Sequence, residues 1–398
     1  MGINQPSSWT ATTLGASADF INGYPFAHTD RGETGLPIIR IEQLKNRAAH
    51  CDRYSGRLPE QYKITDGDIV FSWSGSFFVD LWERGPAWLN QHLFKVIPVS
   101  HLDQTFFMHL LRWSIGELQQ RSHGSTMSHI TRKDINSFGL TLPPLSDQRR
   151  ITEILDTLDA QIASQREVIN KLKIIAAAIM DSHLTKIIRT ADAEFSLATL
   201  ADIASGVTLG TETGGSIELP YLRVANVQDG YIDTSEMKRV HVSRTDAKRY
   251  LLEAGDVLLT EGGDLDKLGR GAVWDARIDP CICQNHIFRV RCDRIRLLPE
   301  YLAAYCSSHH GKSYFLSIAK QTTNLASINS TQLKSMPIPL PSIGNQRELI
   351  EMADAGRNQL SKESSHLQRL ELLKQGLMED LLTGRVRVSA AEAVLESL

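Results

Sequence analysis

The segments LPPLSDQR (142–149) and LPSIGNQR (340–347) share the pattern L-P-x-x-x-x-Q-R, and the character of the sequence changes at each of them. Before each segment, short apolar runs alternate with glycine, aspartate, asparagine and serine, a texture typical of strands joined by turns. After each segment, the chain continues without proline, and its apolar residues follow a helical spacing. Each half of the chain is therefore predicted to pass from a mixed domain into one long helix.

An internal repeat extends outward from these two junctions. LPIIRI (36–41) returns as LPYLRV (219–224), DGDIVF (66–71) as AGDVLL (254–259), and NQHLFKV (90–96) as QNHIFRV (284–290), always in the same order. The period is far longer than that of a solenoid repeat, so each copy is a complete domain with a helix behind it.

Both helices carry the pattern of a coiled coil. Apolar residues recur at alternating spacings of four and three, interrupted in the second helix by Glu363 and Lys374. Asp147 and Asn345 are expected to be the N-caps. The alternative is that each helix faces only the core of its own domain. The predicted seam contains Ile151, Leu155, Leu158, Ile162, Ile169 and Leu172 in the first helix and Leu349, Leu360, Leu367, Leu370 and Leu377 in the second.

These patterns predict an α+β fold. Two homologous globular α/β domains are joined by two long helices, which pack as an antiparallel coiled coil in a dumbbell with a pseudo-two-fold axis. The expected boundaries are 1–142 for the first domain, 143–190 for the first helix, 191–340 for the second domain, and 341–398 for the second helix with a tail.

Composition narrows the class of protein. The chain has 398 residues, 42% of them hydrophobic, and a net charge of −3, which is ordinary for a globular protein and gives no support for DNA binding from charge alone. No apolar stretch approaches the length of a membrane span, and no signal segment is recognisable. We therefore expect a cytoplasmic protein whose five cysteines are reduced.

Motifs of catalysis are missing from the sequence. There is no phosphate-binding G-x-x-x-x-G-K-[ST] loop, no Asn-Pro-Pro-Tyr or Asp-Pro-Pro-Tyr motif and no G-x-S-x-G elbow. The glycines at 262–263 and 269–271 lack the strand and helix order of a nucleotide site. Cys281, Cys283, Cys292 and His286 lack paired zinc-ligand spacing, so core thiols are favoured over a zinc site. A non-enzyme that binds no cofactor or metal is the expectation.

Several of these segments resemble those of a known family. The two proline-to-helix junctions, the Gly67-Asp68 and Gly255-Asp256 turns and the ending LMEDLLTGR (377–385) are similar to the specificity subunit of type I restriction-modification systems. The family commonly has glutamate before the junction glutamine, where this chain has Asp147 and Asn345.

The resemblance implies a division of labour. Each globular domain would be a target-recognition domain that contacts one half of an interrupted, bipartite site in double-stranded DNA. The helices would set the spacing of the two halves and dock two modification subunits, which methylate adenine with S-adenosylmethionine. A restriction subunit that uses ATP and Mg can join such a complex, and this chain would supply no catalysis of its own.

Polar side chains on loops are the candidates for DNA contact, since arginine pairs with guanine and asparagine or glutamine with adenine. For each of them a solvated side chain or a simple turn is the competing interpretation. Arg40 and Arg223 occur in both repeats and are predicted either to hold phosphates or to cap a strand end. The candidates are Arg40, Ser72, Ser74, Ser76, Arg84, Ser125 and Thr126 in the first domain and Arg223, Thr260, Lys267, Arg270, Thr322, Thr323 and Asn324 in the second.

Two other hypotheses stay open at the level of sequence. One is a scaffold that ignores DNA and binds proteins through its paired domains and coiled coil. The other is a fused enzyme with an unrecognised active site in each domain. Salt dependence separates DNA binding from the scaffold, since phosphate contacts weaken steeply as salt rises. The repeated Asn90-Gln91-His92 and Gln284-Asn285-His286 segments are expected to support the fold.

Overall fold

The structure is a computed structural model that describes residues 8–121, 130–190, 193–208, 217–263, 268–321 and 326–395. The chain divides into two compact units. Unit 1 contains Met1–Arg166 and Ser365–Leu398, and unit 2 contains Glu167–Ser364. Each long helix therefore contributes one of its ends to each unit.

Unit 1 begins with the first globular domain, whose described residues form short strands and four helices. Its strands are β1 (Thr10–Thr13), β2 (Ala18–Asn22), β3 (Leu36–Ile39), β4 (Arg53–Tyr54), β5 (Lys63–Ile64), β6 (Ile69–Ser72), β7 (Phe78–Leu81), β8 (Ala87–Leu89), β9 (Leu93–Pro98) and β10 (Gly139–Leu142). Its helices are α1 (Leu14–Ser17), α2 (Ile41–Lys45), α3 (Gln104–Arg121) and α4 (Arg132–Ser137), and the long helix α5 (Leu145–Thr190) follows.

The second globular domain lies in unit 2 and is built in the same way. Its strands are β11 (Glu194–Ser196), β12 (Ala201–Ser205), β13 (Ile217–Leu222), β14 (Lys238–Val242), β15 (Val257–Thr260), β16 (Gly262–Gly263), β17 (Gly271–Val273), β18 (Ile282–Cys283), β19 (Ile287–Cys292), β20 (Lys320–Gln321), β21 (Ala326–Ser327) and β22 (Pro337–Pro339). Its helices are α6 (Arg244–Tyr250), α7 (Pro299–Ser307), α8 (His309–Ile318) and α9 (Ser330–Lys334), followed by the long helix α10 (Ile343–Leu382) and by α11 (Val388–Leu395).

Sheet topology confirms that the two domains are homologous. The order β2-β9-β6-β7 in the first domain matches β12-β19-β15-β17 in the second. In both domains the LP-containing strand pairs in parallel with the strand before the repeated polar triplet, as β3 with β8 and β13 with β18. The pairing of β1 with β10 likewise matches that of β11 with β22. The repeats found in the sequence therefore correspond to the same strands in space.

The long helices pack against each other in antiparallel order. In unit 1, Asp159 of α5 pairs with Lys374 of α10, and Arg166 pairs with Glu371, so advancing along one helix means moving back along the other. In unit 2, Gly356 of α10 lies beside Ala176 of α5. The predicted α+β class, with two homologous domains and two long helices packed together, is confirmed.

Burial along the predicted seam varies. Ile151, Leu155 and Leu158 are fully buried in the core of the first domain, together with residues of α11. At the other end of α5, Leu184 lies in the core of the second domain. The remaining buried seam residues are Ile162, Ile169, Leu349, Leu370 and Leu377, whereas Leu172, Leu360 and Leu367 are half-buried.

The predicted N-caps are wrong by a few residues. Helix α5 starts at Leu145, and the carbonyl of Pro144 accepts the backbone N–H of Asp147 and of Gln148. Helix α10 starts at Ile343, and its N-cap is Ser342, whose hydroxyl accepts the N–H of Asn345 at 3.3 Å. Asp147 instead lies in the first helical turn, where its charge complements the helix dipole.

A buried glutamine holds each junction. Gln148 donates to the carbonyl of Pro143 at 2.9 Å and accepts the N–H of Asp103 at 2.8 Å. Gln346 donates to the carbonyls of Pro341 and Arg296 and accepts the N–H of Leu298 at 2.8 Å. The glutamine of the junction motif therefore fastens each long helix to the domain that precedes it.

The shared Gly-Asp pairs form a tight turn before a buried strand. Gly67 and Gly255 have φ of +94° and +90°, a region that favours glycine. Asp68 accepts the N–H of Thr65, and Asp256 accepts that of Glu253, each at 2.7 to 2.8 Å. These turns place β6 and β15 inside their sheets and fix where the loops after them begin.

Candidate nucleic-acid interface

The loop that follows β6 is the first candidate surface. Ser72 is fully buried, and its hydroxyl donates to the carbonyl of Ser76 at 2.6 Å. Ser74 is also buried and hydrogen-bonds to Nδ1 of His92 at 3.3 Å. Gly75 at the tip has φ of +71° and open space around it. Ser72 is therefore corrected from a candidate base contact to an internal brace of this loop.

Ser76 and Arg84 remain at the surface of the first domain. The Ser76 hydroxyl lies 2.5 Å from Nζ of Lys45. Arg84 is half-buried, lies over the ring of Trp82 at 4.8 Å, and donates to the carbonyl of Gln43. Burial lowers the pKa of the Arg84 guanidinium, and the nearby cation of Arg47 adds to this effect.

The corresponding loop of the second domain follows β15. Thr260 is buried, and its backbone N–H donates to the carbonyl of Arg270 at 2.9 Å. Thr260 is therefore also corrected, because a side chain inside the sheet cannot reach a DNA groove. Arg270 is half-buried beside this strand, and its Nε is buried with no partner among the described residues.

The two shared arginines cap the turn that follows their strand. The backbone N–H of Arg40 donates to Oε1 of Gln43, and that of Arg223 donates to Oδ1 of Asn226. The Arg40 guanidinium also pairs with Asp52 at 2.6 Å, and this bond lowers the pKa of the Asp52 carboxyl. Of the two roles left open by the sequence, these contacts favour the structural cap.

The first and third residues of the repeated polar triplets, at 90–92 and 284–286, have different roles. The backbone N–H of Asn90 donates to Ile39, and that of Gln284 donates to Leu222, so the first residue ties two strands together in each domain. The histidines at the third position are exposed instead, with His92 near Ser74 and His286 bonded to Glu261 at 2.6 Å. Sequence reasoning predicted the support and missed the matched, exposed histidines.

Several candidates lie outside the described residues. They are Ser125, Thr126, Lys267, Thr322, Thr323 and Asn324.

Within the described ranges, histidine, cysteine, aspartate and glutamate side chains come close enough together to hold a metal ion at one place. This group contains His109, Asp156 and Asp159. Asp159, however, already pairs with Lys374 and lies 3.9 Å from Arg112. These two cations oppose a metal ion at that place. The cysteines form no such group, and burial raises the pKa of the Cys281, Cys283 and Cys292 thiols to about 12, which disfavours the thiolate a metal needs.

No helix in the described part of the chain is long and apolar enough to cross a membrane.

Comparison with known proteins identifies relatives of the whole chain. A family described as type I restriction modification DNA specificity domain matches residues 6–173 and again residues 193–371. The specificity subunit of the type I restriction enzyme EcoBI from Escherichia coli is 24% identical over 95% of this chain and 86% of its own length. The EcoKI specificity subunit from Escherichia coli strain K12 is also 24% identical, over 96% and 90%.

A solved structure shares the fold. It was described in work on complex assembly and conformational transition of the type I R-M system. The similarity covers 97% of this chain and 100% of the solved one, with a TM-score of 0.65 at 17% sequence identity.

Proposed function

The chain belongs to the family of type I restriction-modification DNA specificity subunits, and on that premise we propose that each of its two domains contacts one half of an interrupted DNA site. As a specificity subunit it recognises DNA target sites, is not catalytic, and works within a restriction-modification complex. The observation that carries the proposal is the duplication of one complete domain, including matched loops after β6 and β15. Two homologous domains with different loop residues suit two different half-sites.

The proposal extends to the residues that contact DNA. Ser76, Arg84 and Arg270 have side chains at the surface near these loops, and His92 and His286 join them from the repeated triplets. Arginine and histidine can donate to phosphates or to base edges. The six candidates outside the described residues stay part of the same proposal.

The long helices are proposed to dock two modification subunits and to set the spacing between the half-sites. Exposed apolar side chains on α5 support docking, because water-exposed isoleucines cluster at Ile174, Ile175 and Ile179, with Ile174 70% exposed. S-adenosylmethionine would bind to the modification subunits, and ATP and Mg to a restriction subunit if one joins. The chain itself is proposed to bind no cofactor and to act in the cytoplasm, on cellular DNA.

Co-expression with the modification subunits tests the proposal. Methylated adenines are mapped across the host DNA by single-molecule sequencing. The expected result is methylation confined to one two-part motif with an unspecified gap. A stable complex that methylates no DNA, and whose binding to a duplex does not respond to salt, would favour a protein scaffold instead.

A further inference from the structure

The two domains differ in charge directly after their shared arginine. In the first domain, Arg40 is followed by α2, Lys45 and Arg47. In the second, Arg223 is followed by a short turn, with Gln228 and Gly230 at the matching positions. The match is fixed by the backbone of each arginine, which donates to the amide oxygen three residues later in both domains.

A third cation joins the first domain at this place. Arg84 donates to the carbonyl of Gln43 at 2.6 Å, which brings its guanidinium to the end of α2. Lys45 and Arg47 are exposed, and Nζ of Lys45 reaches the hydroxyl of Ser76. These three cations, Lys45, Arg47 and Arg84, form a basic patch beside the loop after β6.

The position of the second domain that matches Arg84 holds no cation. Trp82 and Trp274 occupy matching positions, since the N–H of each donates at 2.8 Å to the aspartate of its Gly-Asp turn. Two residues further on, the first domain has Arg84 and the second has Ala276. The basic patch is therefore specific to the first domain at all three positions.

Counter-charges do not explain the basic patch. Among the residues that the structure describes, no ion pair with a carboxylate involves Lys45, Arg47 or Arg84. Asp80 lies near Arg84 but is paired with Arg112 at 3.4 Å. In the second domain, by contrast, Asp229 stands beside Gln228 and is paired with Lys312 at 3.3 Å. Neighbouring cations without a direct ion pair repel one another, and an anion that binds between them relieves this repulsion.

We propose that the basic patch binds backbone phosphates of double-stranded DNA, and that the first domain makes these contacts without a counterpart in the second. The inference rests on the proposed function, because it assumes that this face of the domain meets the duplex. Phosphate contacts carry no sequence information but position a protein on DNA. The basic patch therefore sets how strongly the first domain holds its half-site, while the neighbouring loop contacts bases.

The test uses the chain in complex with its modification subunits. Lys45→Gln, Arg47→Gln and Arg84→Ala are combined in one variant, and the first two alone in another that keeps Arg84 packed on Trp82. Binding to a labelled duplex with the methylated motif, and to one with the motif scrambled, is measured over a range of salt. Each lost phosphate contact lowers the slope of log K against log salt by about 0.9. We expect a fall of about two to three for the triple variant and about two for the double, similar for both duplexes.

A matched control removes three exposed cations from the second domain, as Lys238→Gln, Arg244→Gln and Lys248→Gln. The proposal predicts a smaller change of slope for this control. An equal change would show that only net charge matters, and would overturn it. An unchanged slope in the triple variant, with loss of a modification subunit on gel filtration, would assign the basic patch to an acidic protein surface instead. If the unmodified complex itself fails to bind DNA, the proposed function fails and this inference with it.

Discussion

The two domains meet the long helices in opposite ways. In unit 1, α3 carries His109 and Arg112 against α5, where Asp156 and Asp159 receive them, and Lys374 of α10 completes the group. In unit 2, the matching space between α7, α5 and α10 is a cavity of about 980 Å³. Both domains pack apolar residues on the long helices, but at this place the first domain adds polar and charged contacts and the second leaves an opening.

Five substitutions between the repeats account for the cavity. Positions in the long helices are matched by counting from Gln148 and Gln346, and positions in the preceding helices by counting from Asp103 and Leu298, whose N–H groups these glutamines accept. Each large residue of unit 1 is then matched by a small one in unit 2, and all five small residues line the cavity. The pairs are His109 and Ala304, Arg112 and Ser307, Leu155 and Ala353, Leu158 and Gly356, and Lys374 and Ala176. The junction is therefore common to both repeats, whereas the space between each domain and the long helices has diverged.

Exchanging matched residues between the repeats is expected to change the free energy of unfolding the most. Leu155 is fully buried, so Leu155→Ala, which installs the residue of unit 2, is expected to lower the free energy of unfolding by about 2 to 5 kcal/mol. The reverse exchange, Ala353→Leu, fills part of the cavity and is expected to cost nothing or to gain up to about 1 kcal/mol. Urea unfolding measures both. Equal losses from the two exchanges would refute the difference between the units.

Substituting the junction glutamines, Gln148 and Gln346, tests whether both repeats use them to hold the long helix to its domain. Gln346→Met leaves the N–H of Leu298 and two carbonyls without their partner in a buried place, and we expect a loss of about 2 to 4 kcal/mol in the free energy of unfolding. Gln148→Met removes bonds to two backbone groups and is expected to cost somewhat less. Thermal unfolding of both variants decides the order. Losses below about 0.5 kcal/mol would mean that the glutamines do not hold the junctions.

Removing a charge from the group formed by Asp159, Lys374 and Arg112 in unit 1 is expected to change the free energy of unfolding moderately. Lys374 is 17% exposed, and Lys374→Met removes the cation nearest Asp159, at an expected cost of about 1 to 2 kcal/mol. Arg166→Met is the matched control, because its pair with Glu371 is largely exposed and worth less than about 1 kcal/mol. Similar costs for the two variants, measured in denaturant at one salt concentration, would show that Lys374 is only another surface charge.

The smallest expected effect is a pH dependence of stability at His109, a position where unit 2 has Ala304. Burial lowers the pKa of His109 below its ordinary 6.5, although its bond to Asp156 works in the other direction. The unfolded chain therefore binds a proton that the folded chain resists, so stability should fall as the pH drops below about 6.5. His109→Ala, the residue of unit 2, is expected to flatten this fall. A pH profile of melting temperature that is the same in both proteins would contradict the assignment.

Spacing rules predicted the architecture well, for physical reasons. The order of the repeated segments requires two copies of one domain, and alternating spacings of four and three require a narrow apolar seam. The helix starts were missed because Pro144 precedes α5 directly and its carbonyl accepts the first helical hydrogen bonds, so that α5 begins at Leu145, ahead of Asp147. The two glutamines could be recognised in the repeated segments, but their hydrogen bonds could not be predicted, because the backbone groups they bind come close only after folding.

The candidate interface was predicted less well, because burial depends on strand length. Ser72 and Thr260 were expected on loops and are the last residues of β6 and β15, so they are inside the sheets. Lys45 and Arg47 of the proposed basic patch do not stand out in the sequence, because residues 1–150 contain 15 lysines and arginines against 14 aspartates and glutamates. Aligning the repeats position by position is the signal that would have found them.

Exchange of the first domain tests the central claim most directly. Residues 1–142 are replaced by the corresponding domain of another member of the family, and methylated adenines are mapped in cells that also contain the modification subunits. The account predicts that one half of the two-part motif changes, while the other half and the gap between them stay the same. A motif that does not change, or that changes in both halves, would contradict the assignment of one half-site to each domain.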